Sequence, residues 1–197
     1  MVAHLQAATA LITKKSGNGC SPRGLARGTG RARPRPTGRG ALARSCLLLL
    51  ALAAPPAFAA SNKVRITQLG DVAFGTIANL SADATRSESV CLFADTNTNG
   101  YHVTASGTGP GGAFQLSSGL NSMAYDVQWS SSAGRAVGIQ LTPNVPLTGQ
   151  ASAATQQTCN NGPATTASLI IVLRTGALAS ATAGTYNGTL TLVVGPE

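Results

Sequence analysis

The chain has 197 residues, of which 43% are hydrophobic and only 10% charged, and its formal net charge is +8. The charge is uneven: residues 1–59 carry nine Lys and Arg and no acid, whereas residues 60–197 carry five against six acids, so the two parts stand at +9 and −1. The domain after residue 59 therefore has no basic surface, which excludes nucleic acid as its partner.

Residues 1–40 are basic, and Gly17–Gly40 is dominated by Gly, Pro and Arg, a composition that cannot build a core. This stretch reads as an over-long n-region, as sequence ahead of the true start, or as a functional basic arm. After Arg44 comes a short apolar run, Cys46–Ala54, then Pro55-Pro56 and Ala57-Phe58-Ala59. A positive flank, an apolar core and an A-x-A site make a secretory signal peptide, cut after Ala59. The run is too short to cross a bilayer comfortably. Cys46 precedes the apolar core, which excludes a lipoprotein anchor. The chain left after cleavage, Ala60–Glu197, has 138 residues and the size of one domain.

Along that domain the pattern is all-β. Lys63–Leu69 alternates, with Val64 and Ile66 on one face; Asp71–Ile77 is a second strand kinked at Gly75. Asn79–Ser87 reads as a polar loop and Glu88–Ala94 as a core strand. Asn99-Gly100 carries a hairpin signal, after which Tyr101, Val103 and Ala105 alternate with His102, Thr104 and Ser106. Gly107–Gly112 reads as a hairpin loop; a phosphate cradle would need a helix after it and a Lys, and neither is present. Ala113–Ser118 is a short strand. Met123, Tyr125, Val127 and Trp129 share a face of the next, and Val137, Ile139 and Leu141 form another apolar face. Pro143–Pro163 is expected as a long loop around Cys159. Ala167–Arg174 is apolar on both faces and belongs in mid-sheet. The last strand follows Ala183, with Tyr186, Gly188, Leu190, Leu192 and Val194 on one face and Thr185, Asn187, Thr189 and Thr191 on the other. Strands at this spacing predict an Ig-like β-sandwich whose final strand ends at an unpaired edge.

Cys91 and Cys159 remain after cleavage. In an oxidising compartment the pair reads as a disulfide closing a loop of about 70 residues, worth ~4 kcal/mol on the chain-entropy argument; two buried thiols are the alternative. No Cys or His spacing suggests a metal site. The lone histidine after residue 59, His102, lies on an outward strand face without a nucleophile elbow, so a Ser-His-Asp hydrolase built with Asp95 or Asp126 has little to stand on. No paired carboxylates suggest glycoside hydrolysis. Trp129 and Tyr125 alternate with Val127 and read as core in preference to a carbohydrate platform. The expectation is a non-enzymatic protein without cofactor or small-molecule substrate.

Four segments occur in a telling order: Asp71-Val72-Ala73-Phe74-Gly75-Thr76, Gly100-Tyr101-His102-Val103-Thr104-Ala105-Ser106-Gly107, Tyr125-Asp126-Val127-Gln128-Trp129, and Ala183–Leu192. The set resembles the spore coat protein U domain, the pilin-type module of archaic, Csu-like chaperone–usher pili. Many members carry a further cysteine before the V-x-F-G segment, which this chain lacks. The resemblance implies an incomplete sandwich lacking its last strand, completed by β-augmentation. A periplasmic chaperone, an outer-membrane usher and neighbouring pilin subunits would then be the partners, and the protein would pass through the periplasm to a surface fimbrium. The acceptor groove would be bordered by Tyr186, Leu190, Leu192 and Val194. Residues 60–70 would be either the donor strand, through Val64 and Ile66, or the first strand of a domain at 71–197; the donor reading is slightly favoured. A surface-attached adhesive or ligand-binding module, using the Gly107–Gly112 and Pro143–Pro163 loops, is the alternative from another class.

Overall fold

Apolar side chains at every second position need a second apolar sheet to face, and that requirement organises the molecule. The computed structural model describes residues 2–12 and 62–197. The expected signal peptide and its cleavage point lie outside the described residues. The described residues form twelve strands: β1 (Val2–Ile12), β2 (Lys63–Thr67), β3 (Val72–Thr76), β4 (Ala84–Asp95), β5 (Gly100–Ser106), β6 (Gln115–Ser118), β7 (Asn121–Ala124), β8 (Asp126–Ser130), β9 (Ile139–Gln140), β10 (Leu147–Ala151), β11 (Ala167–Leu173) and β12 (Thr185–Pro196). A short helix, α1 (Thr175–Ser180), joins the last two.

The strands form two sheets, an all-β sandwich as the period-two pattern predicts. The first runs β10-β5-β12-β1-β3, with β6 beside β12 and β7 beside β6; the second runs β2-β4-β11-β8-β9. Between them lies one core, built from inward rows such as Val90 and Leu92, Tyr101, Val103 and Ala105, Val127 and Trp129, and Leu169, Ile171 and Leu173. All seven residues of β11 are buried and it lies at the centre of its sheet, as its unbroken apolar run requires. Trp129 is fully buried, donates its indole N–H to the Tyr101 hydroxyl at 3.1 Å, and meets that ring edge-on. It is a core residue.

Several local expectations are corrected. Ala84–Ser87 is the first third of β4, not loop, because its backbone pairs with Ile170–Leu173 of β11. Asn99 has φ 53°, but β4 and β5 belong to different sheets. The turn is therefore an arch between sheets and not a hairpin, held by Thr96 Oγ1 accepting from the Gly100 N–H at 2.7 Å. Gly107–Gly112 likewise is no hairpin loop. β5 and β6 both pair with β12, one beyond the other, and the loop bulges out of a single strand line. Pro143–Pro163 contains β10, which extends the first sheet beside β5. Val137 and Ile139 are exposed, and only Leu141 of that trio is buried.

That last difference has a visible cause. Residues 131–138 lie as a strap over the outer face of the second sheet. Ser168 Oγ accepts from the Arg135 N–H and donates to the Ser132 carbonyl, Ser89 Oγ accepts from Gly134, and Gln128 Oε1 accepts from Gly138. The strap is held by backbone groups, which leaves Val137 and Ile139 outward.

Cys91 and Cys159 form the disulfide, with Cα atoms 6.0 Å apart across 68 residues of sequence. It fastens the loop after β10 onto β4. Beyond Val90 the strand loses β11 as a neighbour, and the Thr166 hydroxyl takes over, accepting from the Leu92 N–H at 2.9 Å and donating to its carbonyl at 2.8 Å. Ser152 Oγ donates to the same carbonyl. Replacing both cysteines by serine is expected to lower the unfolding free energy by ~4 kcal/mol, read as a lower urea midpoint with an intact far-ultraviolet spectrum.

Candidate functional site

The geometry of interest lies at β12. Tyr186, Leu190, Leu192 and Val194 are each completely buried and point into the core, as their parity predicts. Tyr186 is further anchored by its hydroxyl, which lies 3.1 Å from both Thr182 Oγ1 and the Thr182 carbonyl. At the remaining inward position, Gly188 makes room for β6: a Cβ there would stand 2.8 Å from Leu116 Cδ2 and 3.0 Å from the Gln115 carbonyl. Leu116, itself buried, fills the space that a side chain at 188 would need.

One edge of β12 is satisfied within the domain, by β5 along Thr191–Pro196 and by β6 at Asn187. The other edge faces β3 across a gap one strand wide, and β1 occupies that gap. Nine residues of β1 pair with β12 in parallel, from Val2 opposite Thr185 to Ile12 opposite Val194. Four pair antiparallel with β3, from Val2 opposite Thr76 to Leu5 opposite Val72. Two such steps separate β12 from β3 by ~10 Å. No strand among residues 62–197 fills this position. A strand parallel to β12 cannot be reached from it by a hairpin and must arrive from elsewhere.

The walls of the slot are apolar within and polar without. β12 contributes its four buried side chains, and β3 contributes Val72 and Phe74, both buried, while Ala73, Gly75 and Thr76 are exposed. Gly75 has φ 67°, the left-handed region open to glycine, and the register of β3 against β1 shifts beside it. Arg86 of β4 lies over the Phe74 ring, 5.8 Å from its centroid. Open hollows of about 230 and 340 Å³ flank β3 on its β4 side, lined by Phe74, Asp83 and Arg86 and by Asp71, Val72 and Glu88 respectively.

Val64 and Ile66 are not spare. They sit in β2, which pairs antiparallel with Cys91–Asp95 of β4, and both are buried in the core of their own domain. The favoured reading of Lys63–Leu69 as a donor is therefore corrected: the segment is the first strand of the second sheet. Its alternation is the same for either role, so the sequence pattern could not separate them. Two features of the site went unread in the sequence. One is β1, whose alternation in Val2–Ala7 was a usable signal. The other is β3 as the opposite wall.

The corner between β2 and β3 is held by Glu88, whose Oε1 accepts from the Gly70 N–H at 2.8 Å. Its Oε2 is buried without a partner. Burial pushes the Glu88 carboxyl above its ordinary value of 4.5 and the nearby Asp71 adds to this, while the Gly70 hydrogen bond opposes it. Asp83 behaves oppositely: it accepts from the Thr175 backbone and hydroxyl and pairs with Arg174 at 2.9 Å, which holds it below its ordinary value. Arg174 also reaches Asp126 at 2.6 Å. His102 has Glu197 as its acidic neighbour, at 3.7 Å, and Asp126 is engaged by Arg174. Among the described residues no group of three His, Cys, Asp or Glu could hold a metal ion, and no helix is long and apolar enough to cross a membrane.

No family model, no curated protein and no solved structure matches this chain.

Because the folded Glu88 keeps a proton that the unfolded chain releases between its raised and ordinary values, stability through this group grows as pH falls through the raised value. It stops growing below 4.5, where both states are protonated. Asp83 acts in a lower window, losing its contribution as pH falls below 3.8. Glu88→Gln retains an acceptor for Gly70 and removes the titration. Melting curves at pH 7 and pH 4.5 are expected to show a gain for wild type relative to Glu88→Gln at the lower pH; parallel shifts of the two proteins would contradict it.

Proposed function

We propose that the protein is a structural subunit of a surface fimbrium, completed by a strand from another chain. A periplasmic chaperone would hold the slot during transit, an usher would pass the subunit outward, and a neighbouring subunit would supply the final strand. The supporting observation is the one-strand gap between β12 and β3, which residues 62–197 do not fill themselves. Main-chain hydrogen bonds along both walls would supply affinity, and alternate apolar side chains over Tyr186, Leu190, Leu192, Val194, Val72 and Phe74 would set the register. An acceptor of this kind at one place and a donor at another gives a heterologous, non-closing contact, which generates fibres. Since Lys63–Thr67 serves its own domain, this subunit fits an acceptor better than a donor, as at the end of a fibre.

The reading is tested on the secreted chain after removal of its leader. Alone it is expected to aggregate through its open slot. With a strand of alternating apolar residues appended after Glu197 through a short turn, it is expected to be monomeric and to melt ~3–7 °C higher, the shift that one or two kcal/mol produces in a domain of this length. A leaderless monomer that is stable and indifferent to the appended strand would refute it.

A further inference from the structure

The slot already has an occupant. β1 consists of Val2–Ile12, and these residues belong to the segment that the sequence assigns to the leader. The register is not arbitrary. Opposite the inward positions Tyr186, Gly188, Leu190 and Val194 of β12 stand Ala3, Leu5, Ala7 and Ile12. Opposite the outward positions Thr185, Asn187, Thr189 and Thr191 stand Val2, His4, Gln6 and Ala8. His4 and Gln6 thus both fall on the outward row, and the inward row is apolar throughout. A register one residue away would reverse this.

The register shift between Ala8 and Leu11 takes Thr9 off the inward row and leaves Leu192 without a partner on β1. Continued without it, Leu11 would stand opposite Val194 and Ile12 opposite Gly195; the added residue puts Leu11 opposite Val193, on the outward row, and Ile12 opposite Val194, on the inward row. Thr9 and Ala10 have no partner on β12, so the third polar residue of the strand, Thr9, is also off that row. On the opposite wall Leu5 stands at Val72, a buried position of β3.

We infer that Val2–Ile12 is a placeholder strand, built into the unexported chain, that closes the slot of its own domain while leader and domain share one side of the membrane, and is lost with the leader. The proposal rests on reading the slot as an acceptor, and it adds a regulation of that site. Before the leader is removed, the edge of β12 and the facing edge of β3 are paired and cannot template another chain. Removal frees both edges at once, so a subunit acquires its capacity to take a foreign strand only when processed. The parallel direction suits an N-terminal segment because it needs no hairpin from β12.

The test uses the full chain with its leader retained. Hydrogen exchange of Thr185–Val194 and Val72–Thr76 is compared in wild type, in Leu5→Asp with Ala7→Asp on the inward row, and in His4→Asp with Gln6→Asp on the outward row. The inward pair is expected to speed exchange in both segments by about tenfold or more, the outward pair to leave it unchanged. A synthetic peptide of Val2–Ile12 should restore protection to the inward variant. Equal exchange in all three proteins, equal effects of the two pairs, or a wild-type chain that stays dimeric on dilution would overturn the intramolecular placeholder. The outcomes separate from those of the fimbrial reading. A slot left protected by the inward pair removes the placeholder, while uptake of the strand appended after Glu197 still supports an acceptor. A slot opened by the inward pair that ignores the appended strand removes the acceptor and keeps the placeholder.

Discussion

A β-strand buried on one face by four large side chains cannot leave an edge of its backbone unpaired without cost. β12 is such a strand. Its inward row belongs to the core, so it cannot swing away, and the polar groups on its free edge need partners wherever water is excluded. β5 and β6 satisfy one side; the other is satisfied by a strand that enters parallel and bridges to β3. The position of β3 depends on that same strand, since its sheet pairing among the described residues is to β1. One ladder thus decides both whether the first sheet is continuous and whether the core is closed on that side.

The rest of the molecule gives this slot firm walls. The second sheet is covered on its outer face twice, by the strap at 131–138 and by the disulfide-fastened loop around Cys159. Polar groups buried there are matched by short side chains: Ser168, Thr166 and Ser152 complete backbone bonds that no neighbouring strand can reach. Buried polar groups satisfied in this way raise rigidity without opening a cavity. The contrast with the β3 side is physical. There the seam between sheets is bridged by side chains, Arg86 over Phe74 and Glu88 to Gly70, and not by a ladder.

The ionisable groups support the same division. Asp83 and Arg174 are exposed, Asp126 is half-buried, and the three are paired, fastening the start of α1 to the turn before β4 and to β8. Exposed pairs of this kind contribute little individually, and their value lies in positioning. Glu88 is the exception, half-buried with one oxygen unpartnered beside the β2–β3 corner. Tyr101 and Tyr125 are held neutral by burial, and the Tyr101 hydroxyl serves Trp129 inside the core.

Parity could be read from the amino-acid order for most strands, but not for Val137 and Ile139, whose apolar alternation with Leu141 ended on the outside. The inward rows of β5, β8 and β12 follow from side chains alternating across a pleat, the mid-sheet place of β11 from its unbroken apolar run, and the pairing of Cys91 with Cys159 from their being the two of four cysteines that follow residue 59. Which strand lies beside which was decided only by the tertiary structure. Val64 and Ile66 alternate equally well as a donor or as a first strand, and only the ladder to Cys91–Asp95 assigns them to β2. Asn99-Gly100 turns the chain equally well within a sheet or between two, and only the partners of β4 and β5 make it an arch. Val2–Ile12 reads as an apolar-leaning stretch ahead of a basic region until β12 and β3 offer it two edges. The reason is common to all three. A side-chain pattern records which face of a strand is buried, while the identity of its neighbour rests on backbone groups that are the same in every residue but proline.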